Sequence, residues 1–239
     1  MRISADYSLF RPLGAAVALA GLLGACSTAD TGGPGPGPVI VDLAPNSSGD
    51  NQLGTAGLPL PSPFCVQVTR DGVPQVGVAA AWATPTAGAT ISPATSQTNS
   101  SGVACSLLTL SQTAGPHTAT GAVTGAQGSP VTFVATANPG LAVNMVKQTG
   151  DNQTGTVGVP YTEMLSVKVT DQFGNPVQAI GVGWALTAGS ATLSSNSVDS
   201  GIDGVSGISV TPTAPGAITI TATSVGLNGS PMTFNLTAN

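Results

Sequence analysis

Val167-Lys168-Val169-Thr170-Asp171-Gln172-Phe173-Gly174-Asn175-Pro176-Val177 is the stretch whose reading decides the fold. Val167 and Val169 alternate with Lys168 and Thr170, the period-two pattern of a strand with one buried face. The residues after it are turn formers. Asp and Asn bond their own backbone, Gly supplies a positive φ and Pro stiffens the exit. The strand has an earlier copy, Val66-Gln67-Val68-Thr69, followed by the shorter turn Arg70-Asp71-Gly72-Val73-Pro74. Other segments also recur. Gly49-Asp50-Asn51-Gln52 returns as Gly150-Asp151-Asn152-Gln153, Trp82 as Trp184, and Ser129-Pro130-Val131-Thr132-Phe133 as Ser230-Pro231-Met232-Thr233-Phe234. A period of about 100 residues is too long for a solenoid unit and fits one sandwich domain.

Working outward, each copy reads as a series of short strands separated by Gly and Pro. In the first copy these are Phe64–Thr69, Val76–Ala83 with its Trp, a short run near Ala89–Ser92, Val103–Leu110, and a hairpin of His117–Val123 with Val131–Ala137. In the second they are Leu165–Thr170, Ala179–Leu186, a run near Ala191–Ser194, Val205–Thr211, and Ala217–Ser224 with Met232–Ala238. Seven or so strands at this spacing predict a Greek-key β-sandwich. Charged residues are 6% of the 239-residue chain, against roughly 25% in ordinary globular domains. Thr, Val, Gly, Ser and Pro fill the gap, which suits pleated strands and turns. Glu163 is the only glutamate, and good helix formers are scarce.

The first residues read as a targeting segment. Arg2 and Arg11 precede the short apolar run Leu13–Leu23, which ends in Leu23-Gly24-Ala25-Cys26. This is the layout of a secretory signal peptide over residues 1–25 and is too short for a membrane span. Leu-Gly-Ala-Cys resembles a bacterial lipobox, which implies cleavage before Cys26 and lipidation of that residue. Ordinary signal cleavage with an incidental Cys26 is the other reading. Residues 26–39 form a Gly/Pro-rich flexible linker. The twelve residues Ser27–Pro38 reach at most roughly 35–40 Å. Removing residues 1–25 takes away Arg2, Arg11 and Asp6, so the charge of −5 becomes −6. Arg70, Lys147 and Lys168 are then the only basic residues. Counterion release needs clustered Lys and Arg, so nucleic-acid binding is excluded as a class.

The repeated motifs carry a family resemblance. Gly-Asp-Asn-Gln, Val-x-Val-Thr-Asp-x-x-Gly-Asn-Pro-Val and Ser-Pro-x-Thr-Phe resemble the bacterial Ig-like domain group 1, the Big-1 repeats of the intimin and invasin family. The second copy fits without a gap. The first is one residue short at its turn and lacks the Gly-Asn pair. The resemblance implies an immunoglobulin-like extracellular stalk or adhesin module with no catalysis. It predicts an all-β chain of two tandem immunoglobulin-like Greek-key β-sandwiches, residues 40–138 and 139–239, after the signal peptide and flexible linker.

Several residues invite a chemical role. Cys65 and Cys105 have Ser166 and Gly207 as counterparts, so the first copy carries both thiols together. By alternation both point off the core face, on strands expected to be neighbours. Export implies an oxidising compartment, and a Cys65–Cys105 disulfide is predicted. Two free thiols or a metal pair are the alternatives. His117, the only histidine, follows Ala114-Gly115-Pro116 and reads as a solvated turn residue rather than a catalytic one. Neither a Gly-x-Ser-x-Gly elbow nor a His-Glu-x-x-His motif occurs. Asp50, Asp151, Asp171, Asp199 and Asp203 are candidate calcium ligands, but calcium wants six to eight oxygens and turn roles for Asp are commoner. Trp82 and Trp184 are read as core residues rather than sugar platforms.

The sequence therefore predicts a non-enzymatic cell-envelope lipoprotein without cofactor or metal. It is anchored to the outer membrane through Cys26 and is either surface-exposed or periplasm-facing. Adhesion or interaction with a protein or glycan surface is the expected use. A structural spacer or a carbohydrate-binding accessory module is the alternative.

Overall fold

Alternating valines in the first copy build strands whose buried faces must meet a second sheet. A computed structural model describes residues 35–239; residues 1–25, expected to be a signal peptide, and Cys26 lie outside the described residues. The first copy contains β1 (Val39–Leu43), β2 (Gln52–Thr55), β3 (Phe64–Arg70), β4 (Val73–Pro74), β5 (Ala79–Ala83), β6 (Thr90–Ser92), β7 (Thr95–Gln97), β8 (Val103–Thr109), β9 (Gly115–Ala122) and β10 (Val131–Asn138). One sheet has the order β1-β3-β8-β6, with β4 paired to β3, and the other has the order β2-β10-β9-β5-β7. Neighbours are antiparallel except β2, which runs parallel to β10.

The second copy contains β11 (Asn144–Thr149), β12 (Thr154–Gly155), β13 (Leu165–Thr170), β14 (Gly181–Ala188), β15 (Ala191–Leu193), β16 (Ser197–Asp199), β17 (Val205–Ile208), β18 (Val210–Pro212), β19 (Gly216–Thr223) and β20 (Met232–Ala238). Its larger sheet, β12-β20-β19-β14-β16, repeats the second sheet of the first copy. The opposite sheet is β11-β13-β17, with β15 and β18 paired beside it. Among the described residues every regular element is a strand. The chain is thus an all-β protein of tandem immunoglobulin-like sandwiches.

Each sandwich has its own core. In the first, Phe64 and Phe133 stack with centroids 4.7 Å apart, and Trp82 lies 5.8 Å from Phe133. In the second, Trp184 lies 5.6 Å from Phe234. Val66, Val68, Val167 and Val169 are fully buried. Two predicted strands begin later than their sequence patterns suggest. Gly77 (φ 73°) and Ala179 (φ 60°) adopt left-handed conformations, which no extended strand includes, so β5 and β14 start two residues beyond them. The predicted strand Val205–Thr211 is split at Ser209, whose N–H turns to the Ser194 hydroxyl at 3.0 Å.

Candidate functional site

The repeated motifs turn out to be structural fasteners. Asp50 Oδ1 accepts the Val134 N–H at 2.7 Å, and Asp151 Oδ1 accepts the Asn235 N–H at 2.9 Å. Gln52 and Gln153 each grip a peptide group ten residues on. Their amide oxygens accept the N–H of Ser62 and Glu163, both at 2.9 Å, and their amide nitrogens donate to the same residues' carbonyls. Ser129 and Ser230 hydroxyls accept the N–H of Val123 and Ser224 at 2.9 Å, closing the final hairpins. The carboxylates considered as calcium ligands are therefore engaged with backbone donors at Asp50 and Asp151. Asp203 likewise accepts the Val205 N–H at 3.0 Å.

Trp82 and Trp184 are 5% and 2% exposed, so neither is a sugar platform. Each indole N–H finds a hydroxyl, Ser96 at 2.8 Å and Ser206 at 3.4 Å. These hydroxyls lie on different strands. Strand pairing makes Val198 the counterpart of Ser96, and Ala104 the counterpart of Ser206. Each core thus keeps one partner for its indole at a different position.

His117 corrects the expectation of a solvated turn residue. It lies on β9 and is 2% exposed. Its Nε2 accepts the Ser111 N–H at 3.0 Å and meets the Ser111 hydroxyl at 2.9 Å, while Nδ1 faces the Gly115 carbonyl at 3.0 Å. An N–H donor on one side and a carbonyl on the other define the tautomer with hydrogen on Nδ1. The pattern Gly-Pro-His suggested a turn, but the strand begins at Gly115 and draws the ring inward. Ile218 holds the equivalent place in the second core.

The turn after β13 carries the arrangement with the most functional content. Asp171 is fully buried. Its carboxylate accepts the N–H of Phe173 (2.8 Å), Asn175 (2.9 Å) and Gly140 (2.9 Å), and the Asn175 Nδ2 (2.8 Å). Burial opposes the charge, but the Asn175 side chain and these backbone donors outweigh it and hold the pKa below the usual aspartate value. Asn175 then reaches into the first sandwich. Its Nδ2 donates to the Gln112 carbonyl and its Oδ1 accepts the Ala114 N–H, both at 2.8 Å. Gly174 (φ 87°) makes the intervening turn. Phe173 closes one side, and a Cβ at Gly57 of the first sandwich would come 2.9 Å from its ring. Pro36–Asn239 accordingly forms one compact unit.

This clamp is built for one junction. In the first sandwich Asp71 keeps the bond to the preceding segment, accepting the Gly37 N–H at 3.1 Å, but the missing Gly-Asn pair leaves it nothing with which to reach further. At the opposite end of the second sandwich Pro215 replaces Ala114 and has no N–H to offer. In sequence, the short first turn is a departure from the pattern of the second copy. Only the contacts show that the lost residues are those that bridge two sandwiches.

The structure also joins Cys65 to Cys105, with Cα atoms 4.1 Å apart. The two are directly opposite in the β3–β8 ladder. Cys26 lies outside the described residues.

These features define a class, tandem immunoglobulin-like modules fastened end to end. Residues 148–237, within the second sandwich, match the family model of the bacterial Ig-like domain (group 1). Among solved structures, the chain is similar to the D0–D1 domain of intimin at 17% identity, covering 84% of this chain and 95% of that one with a TM-score of 0.32. It is similar to the Escherichia coli adhesin FdeC at 18% identity, covering 84% and 64%, with a TM-score of 0.46. Yersinia pseudotuberculosis InvD gives 14% identity, 84% and 57% coverage, and a TM-score of 0.49. A search of curated proteins found no match.

Proposed function

We propose that this chain is a non-catalytic cell-envelope lipoprotein presenting two Ig-like modules, residues 40–138 and 139–239, for adhesion or another surface protein interaction. The observation that carries the reading is the Asp171–Asn175 clamp. A chain whose modules act independently has no need of a buried carboxylate and an amide bridging them. A chain that must hold a binding face away from a membrane does. The group 1 family match supports a module of this use. The first sandwich is read as a diverged copy of the same domain, because it keeps the Asp50, Gln52 and Ser129 fasteners. Lipid on Cys26 anchors the protein to the outer membrane, and the Gly/Pro linker separates the modules from it. A spacer without a specific ligand is the second reading, favoured by the weakly charged composition.

Proteinase K shaving of intact cells, with a periplasmic protein as leakage control, separates the two. Loss of the modules while the control survives is the expected outcome. Protection that disappears when the outer membrane is permeabilised places the modules in the periplasm and favours the spacer. A Cys26→Ala variant is expected to leave the membrane fraction, and its retention there overturns the anchor.

A further inference from the structure

The two sandwiches differ most around the disulfide. Strand pairing sets Leu43 opposite Val66 and Lys147 opposite Val167, so Leu43 and Lys147 are equivalent. Ser48 and Thr149 are equivalent in turn, each immediately preceding the Gly-Asp-Asn-Gln motif. In the second sandwich Gln148 alone lies between these positions, as a bulge in β11. In the first, Ala44-Pro45-Asn46-Ser47 fill the same gap and form a turn, with Asn46 at φ 65°. This insertion walls a cavity of about 830 Å³ over the Cys65–Cys105 bridge. Beside the same motif in the second sandwich lies a cleft of about 280 Å³, which shares only the positions of Ser48, Gly49 and Ser62 with the first.

The linings differ in chemistry as well as size. The smaller cleft is charged, with Lys147, Asp151 and Glu163, and Lys147 pairs with Asp151. Among the described residues the larger cavity carries no charged side chain. Ser62 stands where the second sandwich has Glu163, and Ser101 where it has Asp203. The Asn46 amide, the Asn99 Nδ2 and the hydroxyls of Ser47, Ser62 and Ser101 have no protein partner among the described residues. Gln52 and the Asn99 Oδ1 are held by internal bonds. The floor is apolar, made by Pro63, Val103 and the disulfide.

We propose that this cavity is a binding site for a neutral saccharide. Amides and hydroxyls converging on an apolar floor are what a sugar's hydroxyls and C–H face require. Other ligands fit less well. An anionic headgroup or phosphate would find no cation here. An extended peptide would need a free strand edge, and the backbone beside the cavity is already paired. Cys65 donates its N–H to Ser48 at 2.8 Å and accepts that of Ala44 at 3.0 Å. Without an aromatic platform the monovalent affinity is weak, on the order of millimolar, and many anchored copies would add avidity. The proposal rests on the adhesion reading and names its partner class.

The test is a heteronuclear NMR titration of the full chain in detergent micelles with glucose, galactose, mannose and N-acetylglucosamine. At least one sugar is expected to shift the amides of Ser47, Gly49, Ser101 and Cys105 saturably. The Ser62→Glu/Ser101→Asp variant, which carries the second sandwich's residues at two exposed positions, is expected to bind about tenfold more weakly or worse. Absence of saturable shifts with all four sugars, shifts that map elsewhere, or unchanged binding by the variant overturns the site. Failure here leaves the adhesion reading standing, since shaving tests that separately.

Discussion

At the scale of single residues, this protein solves the same burial problem twice by different means. Both cores bury a tryptophan whose N–H must be satisfied, because an unpaired buried donor costs about 1–3 kcal/mol. The first core supplies Ser96 and the second Ser206. A Ser96→Ala change is therefore expected to lower the stability of the first sandwich by about 1–2 kcal/mol, read by urea denaturation with tryptophan fluorescence. The fully buried Ser206 hydroxyl also donates to the Val198 carbonyl at 2.8 Å, so Ser206→Ala removes two bonds and is expected to cost the second sandwich at least as much. No loss at Ser96 would remove its assigned role. His117 belongs at this scale too. Its ring satisfies the Ser111 N–H, a task that Ile218 does not perform in the other core because Pro212 holds the place of Ser111 and offers no N–H.

At the scale of elements, the turn after β13 decides how the two sandwiches are related. An Asn175→Ala change removes the acceptor of the Ala114 N–H and the donor to the Gln112 carbonyl. Hydrogen exchange at the Ala114 amide is expected to rise about tenfold or more, with inter-domain residual dipolar couplings no longer fitting one rigid frame. An unchanged Ala114 amide would show that the clamp is incidental. The pH dependence follows from Asp171. Its folded-state pKa is lowered by the hydrogen bonds it accepts, against the effect of burial. Its stabilising contribution is thus complete above the unfolded-state pKa and is lost as pH falls through the lower, folded value. The junction is expected to hold at neutral pH and to loosen only below the ordinary carboxylate range. The same couplings measured from pH 7 downward test this, and loosening in mildly acidic solution would contradict it.

At the scale of the whole molecule, the two sandwiches are not equally reinforced. The Cys65–Cys105 bond spans a sequence separation of 40, and a loop of this size contributes on the order of 3–4 kcal/mol in the chain-entropy model. Reduction is expected to destabilise the first sandwich by that amount and leave the second unchanged, so unfolding separates into two transitions followed by Trp82 and Trp184. A shift of both together would mean that the clamp couples the sandwiches into one cooperative unit.

The local order of the chain was written in its sequence. Alternating valines, Gly/Pro turns and recurring motifs specify two sandwiches, because strand periodicity and turn chemistry act over a few residues. The presence of Cys65 and Cys105 together in the first copy points to their bond because the resembled fold makes their strands neighbours. Cys26 and the lipid anchor remain sequence inferences. Only the tertiary structure revealed that the Gly-Asn pair bridges two modules, that His117 lies inside, and that Ala44–Ser47 wall a cavity. The Asn175 bonds span 61 and 63 positions, and the burial of His117 and the wall of the cavity come from packing between strands, which leaves no periodic trace in the chain.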